Sequence, residues 1–147
     1  VRLAKRQARL DRVNSQLQHF YGQLKAILVL EEDLFQVFKD EHSIGSGFWQ
    51  NQGDDPTPEQ GKVWRKWISG TFMPLNERMF DLVKNRADLI EEIVMPEEFR
   101  LLGLHVASYK ILQDQWSECD FSRHLPEVFF PQKIHDYATY HYERLKS

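Results

Sequence analysis

The chain has 147 residues, 41% of them hydrophobic and 28% charged, and a net charge of −3 at neutral pH. That length suits one domain burying about two thirds of its unfolded surface without disulfides or metals, and the single cysteine, Cys119, excludes an internal disulfide. No run approaches the roughly twenty apolar residues of a membrane span, and repeats and low-complexity tracts are absent.

Glycine and proline are sparse, and no alternating apolar and polar run is bounded by hairpin turns, so the expected fold is all-α: one domain over residues 1–147, a bundle of about four long helices. The first helix is predicted from Leu3 to Asp40. Leu10, Val13, Leu17, Phe20, Leu24 and Ile27 alternate steps of three and four, and Leu34 resumes the series. Outside that narrow seam the first half is polar, with Gln7, Asn14, Gln16 and Gln18, so residues 1–22 are expected to project as a coiled-coil or juxtamembrane arm. Arg2, Lys5, Arg6, Arg9 and Arg12 give the first twelve residues a net charge of +4 against −7 for the remainder. Three readings fit that asymmetry. They are a solvated helix face, a cytoplasmic flank following a transmembrane helix upstream of Val1, and nucleic-acid contact, which an acidic body disfavours.

His42 to Thr57 reads as a loop ending in a helix start, with Thr57 as N-cap, Pro58 at the first helical position and Gln60 completing a capping box. Phe48 and Trp49 are expected to anchor it on the domain as a lid. Trp64 to Ile93 carries the strongest helical period, through Trp64, Trp67, Ile68, Phe72, Leu75, Met79, Leu82, Leu89 and Ile93. Pro74 interrupts it, because it has no N–H for the carbonyl of Gly70, so a kink is predicted there. The Gly70 carbonyl and Asn76 are candidates for the edge of a small-ligand site.

After Met95 and Pro96 a third helix is expected to run to about Trp116, apolar on several sides and the most buried element. Glu118 to Pro131 is irregular, and a last helix from Gln132 to Leu145 closes the fold. His105, one turn from Leu101 and Tyr109, is the most informative titratable residue. A buried imidazole needs partners, and Tyr109 or Ser108 are the expected ones. The runs Glu31 to Asp33, Glu91–Glu92 and Glu97–Glu98 read as solvated faces and helix-end charges. Glu-x-x-His pairs, HExxH, zinc-spaced Cys/His sets, phosphate loops and nucleophile elbows are absent from the sequence. No metal or cofactor is therefore expected. Cys119, among acidic neighbours, is not an expected nucleophile.

Read together, Trp64-x-x-Trp67, Phe72-Met73-Pro74-Leu75-Asn76, His105-Val106-Ala107-x-Tyr109, Trp116 and Asp120-Phe121-Ser122 resemble a group of uncharacterised bacterial proteins. In them a basic coiled segment, often after a predicted membrane helix, precedes a helical domain. The resemblance runs from about Leu17 to the C-terminus. It implies a membrane-tethered cytoplasmic helical domain of unknown role, although this chain contains no membrane helix.

The sequence therefore leads to a non-enzymatic interaction or sensory module, cytoplasmic and tethered to the inner face of a membrane. Its partner would be a second copy or another protein through the first helix, with no nucleic acid. The alternative is a small-ligand binder or enzyme with a pocket between the Pro74 kink and His105, lined by Trp64, Trp67, Asn76, His105 and Tyr109.

Overall fold

A computed structural model describes residues 1–42, 44, 48 and 58–147. The chain forms an all-α bundle of four rods. Helices α1 (Arg2–Gln16) and α2 (Gly22–Glu41) are one rod joined by a π turn, Leu17–Tyr21. Helices α3 (Pro58–Trp67) and α4 (Met73–Asn85) form the second, joined by a π turn at Ile68–Phe72. Helices α5 (Glu97–Ser117) and α6 (Lys133–Lys146) complete the set.

The interruption at Pro74 is thus a shift of hydrogen-bond register one residue earlier. The Met73 N–H donates to the Ile68 carbonyl, five residues back. That insertion places Pro74 in the first turn of a new α-helical segment, where its missing donor costs little. Ser69 and Gly70 face solvent on the outer side of the turn. The first rod contains the same device where the sequence showed no breaker: the Gly22 N–H donates to Leu17 O.

The predicted second helix extends too far. It ends at Asn85, a 3-10 turn follows at Ala87–Leu89, and residues 91–96 are irregular. Arg12 Nη2 donates to Asp88 O at 3.2 Å and Gln16 Nε2 donates to Leu89 O at 3.0 Å. These satisfy backbone carbonyls that a continuing helix would have used. Leu89 is buried, but Ile93 is fully exposed.

Residues 1–12 are exposed throughout, so the start of α1 stands clear of the bundle. The core begins at Phe20 and Tyr21, whose rings meet edge to face at 4.8 Å, and continues through Leu24, Phe38, Met79, Phe99 and Leu102. Helix α5, expected to be apolar on several sides, buries one of them. Phe99, Leu102, Val106, Tyr109, Leu112 and Trp116 are buried, while Leu104, Ala107 and Ile111 face outward.

Phe48 packs against Phe38, Trp64 and His124, and the His124 ring donates through Nε2 to the Phe48 carbonyl. Trp49 and Thr57 lie outside the described residues.

Candidate functional site

The register shift at Ile68–Phe72 turns Ile68, Phe72 and Asn76 towards α2 and α5, and between them lies a cavity of about 540 Å³. Phe35, Trp64 and Phe72 line it, with centroids 5.5 Å apart for Phe35–Phe72, 6.4 Å for Phe35–Trp64 and 6.1 Å for Trp64–Phe72. Tyr109, Phe129 and Phe130 contribute further aromatic surface, and the polar groups include Glu31, Asn76, His105 and His135, with Glu32, Gln36, Lys39 and Gln132 also in the lining.

Four of the five residues singled out from the sequence, Trp64, Asn76, His105 and Tyr109, line this one cavity. Trp67 does not. It is on the neighbouring face of α3, packed against Phe38 at 5.4 Å, Phe72 at 5.9 Å and His42 at 6.3 Å. The two indoles share a helical face one turn apart, and Trp64 at the upper turn meets the cavity while Trp67 packs beside it against Phe38, His42 and Phe72. Gly70 is exposed and contributes nothing to the lining.

Trp64 is fixed by its Nε1–H, which donates to His124 O at 2.8 Å. His105 is held through Nδ1, 2.7 Å from Val128 O. Because a carbonyl only accepts, Nδ1 carries the proton. Burial drives the imidazole pKa down to about 4 against that hydrogen bond, so the ring is neutral and Nε2 is a free acceptor position. The partner is therefore the irregular 118–131 segment rather than Ser108 or Tyr109. Ser108 Oγ bonds the His105 carbonyl at 3.1 Å, and the Tyr109 ring meets the imidazole edge to face at 4.9 Å. Burial also raises the Tyr109 hydroxyl pKa, with the Trp64 indole opposing it.

Glu31 is the polar residue that the sequence reading placed in solvent and the structure places in the cavity. Its carboxyl faces Asn76, which is buried. The Asn76 amide lies 2.7 Å from Glu31 Oε1 and 3.1 Å from Oε2: its oxygen accepts from the protonated acid, and its nitrogen, when turned towards Glu31, donates to the carboxylate. Burial pushes the Glu31 pKa up to about 8, and among the described residues no basic side chain offsets it. At neutral pH the group is largely the uncharged acid. At the rim, His135 Nδ1 lies 3.7 Å from Glu32 Oε2, and Lys39 Nζ sits 5.4 Å above the Phe35 ring.

A seam argument would have found Glu31. The buried positions Leu24, Ile27 and Leu28 are followed at the same spacing by 31, then 35 and 38. Phe129, Phe130 and His135 carry no such signal, since they reach the cavity from irregular chain and from a different helix.

Among the described residues no three His, Cys, Asp or Glu side chains gather as a metal site would require, and no helix is long and apolar enough to cross a membrane. Comparison with known proteins gave no matching family model, no matching curated protein and no matching solved structure.

Proposed function

We propose that this domain is a non-enzymatic sensory module that binds a small organic cation, an amine or quaternary ammonium, in the aromatic cavity. The observation that carries the reading is Glu31: a carboxyl desolvated among aromatic rings, faced by the Asn76 amide and, among the described residues, without a cationic partner. Taking a cation into the cavity would ionise Glu31 and bring a positive charge against the faces of Phe35, Trp64 and Phe72, where the ring quadrupoles attract it. The His105 Nε2 position offers an acceptor for a second donor on the ligand. Binding rather than turnover is favoured because the Ser108 hydroxyl bonds backbone and not the imidazole, and Cys119 is exposed elsewhere. The sensory role is supported by continuity: Glu31 and Phe35 sit on the same rod as the projecting basic arm.

Calorimetry in buffers of different ionisation enthalpy tests this. Benzylamine and tetramethylammonium should bind with release of up to one proton at pH 7, benzyl alcohol should bind more weakly, and Glu31→Gln should lose at least about tenfold in affinity for the cations. Equal binding of the alcohol, or unchanged binding by Glu31→Gln, would refute the reading.

A second reading, pairing of α1 with another copy or another protein, rests on Leu3 and Leu10, which are 81% and 48% exposed along the heptad seam. Light scattering of the chain and of Leu10→Asp separates monomer from dimer. A monomer in both removes the self-pairing.

A further inference from the structure

We infer that the end of the bundle bearing α1 and the 86–96 segment docks on an anionic lipid surface. Two observations meet there. The first is an apolar tip: Ile93, Val94 and Met95 are 103%, 79% and 46% exposed in consecutive positions. This is not a loose loop. Its base is held by the Tyr21 hydroxyl, which accepts the Glu91 N–H at 2.9 Å, by an ion pair between Glu91 and Arg144, and by Glu92, which accepts the Tyr137 hydroxyl at 2.7 Å. Helix α6 and the first rod therefore hold the segment down while leaving its aliphatic side chains in water. Met95 also lines an apolar groove with Leu104, itself 43% exposed, which extends the patch.

The second observation is the basic stripe. Gln16 and Arg12 touch the carbonyls of Leu89 and Asp88, so they mark the face of α1 that overlies this segment. The same face, continued outward in steps of three and four, carries Arg9, Lys5 and Arg2. All three are exposed, and none forms an ion pair among the described residues. Most carboxylates near the tip are engaged, Glu91 by Arg144, Glu92 by His141 and Tyr137, and Glu97 by Arg100 at 3.3 Å, while Glu98 has no such partner among the described residues.

A stripe of guanidinium and ammonium groups beside an exposed aliphatic tip matches both layers of a bilayer surface, anionic headgroups and the acyl boundary beneath them. A polyphosphate backbone would use the stripe and leave the tip in water. A second copy of the chain would bring like-charged stripes together.

Co-sedimentation of the chain with phosphatidylcholine vesicles, with and without about 30% phosphatidylserine, tests this. The chain should bind only the anionic vesicles and be released as salt rises. Ile93→Ser/Val94→Ser, at exposed positions that leave the helical circular dichroism unchanged, should weaken binding about tenfold. Lys5→Glu/Arg9→Glu should abolish it. The inference is overturned if anionic vesicles are not bound, if the serine pair binds as tightly as the parent, if duplex DNA is bound as tightly as the vesicles, or if light scattering shows the tip occluded in a dimer.

Discussion

The Asn76 side-chain amide on α4 lies 2.7 Å from Glu31 Oε1 on α2, and among the described residues no cationic side chain is paired with this carboxyl. The pair makes folding stability pH-dependent. The folded pKa of about 8 exceeds the ordinary 4.5, so the folded state holds its proton more tightly. The stability tied to Glu31 is complete below pH 4.5 and is lost as pH rises through 8. Urea denaturation should show a decline on the order of 3 kcal/mol across that window. Glu31→Gln, which keeps the volume and removes the charge, should flatten it and be the more stable protein above pH 8.

His105 acts at the other end of the scale. Its folded pKa of about 4 lies below the ordinary 6.5, so the unfolded chain takes the proton first and stability falls as pH drops from 6.5 to 4. Between pH 4.5 and 6.5 the two residues oppose each other, giving a shallow plateau with losses on both sides. In His105→Asn the acid-side loss should shrink by on the order of 2 kcal/mol. The two-dimensional NMR titration of the imidazole in the parent should show no protonation down to pH 5.

The π turns respond differently to a methyl group. A Cβ on Gly22 would fall 2.3 Å from the Leu17 carbonyl oxygen, the atom that the turn displaces, whereas a Cβ on Gly70 meets nothing within 4 Å. Gly22→Ala should destabilise by about 1–3 kcal/mol in thermal denaturation. Gly70→Ala should stabilise by about 0.5–1 kcal/mol, since the residue is exposed and helical.

Cys119 has φ of 62°, the only positive φ outside glycine among the described residues, and it closes α5. The Asp120 N–H reaches Gln115 O at 2.9 Å and the Cys119 N–H reaches Trp116 O at 2.9 Å, the pattern that normally ends in glycine. Cys119→Gly should therefore raise stability by about 1 kcal/mol, measured by chemical denaturation under reducing conditions.

The four rods were legible because their apolar spacing and start signals agree: Pro58 opens α3 where expected, and α6 begins within one residue of its predicted start. Leu89 and Ile93 continued the period of the second rod, yet the chain leaves the helix at Arg86. Hydrogen bonds from Arg12 and Gln16, over seventy residues away in sequence, decide that ending, and no local pattern carries such information. The candidate site was half legible. Trp64, Asn76, His105 and Tyr109 were visible as polar or aromatic residues on buried faces. Glu31 was hidden in an acidic run, although its seam position distinguishes it from Glu32 and Asp33, which are exposed. Trp67 was misplaced because a helical stripe does not say which neighbour each side chain meets. The kink itself was inferred from Pro74, but its form as an inserted residue was not, since a π turn leaves apolar spacing nearly intact.

Entry of a cation into the cavity beside Glu31 is read most simply at the carboxyl itself. The most direct test is the carbon-13 NMR titration of the Glu31 carboxyl with and without benzylamine. Its pKa should fall from about 8 by more than two units on saturation, with Trp64 indole resonances shifting in parallel. A carboxyl that titrates unchanged at saturating amine, or that titrates near 4.5 in the free protein, would contradict it.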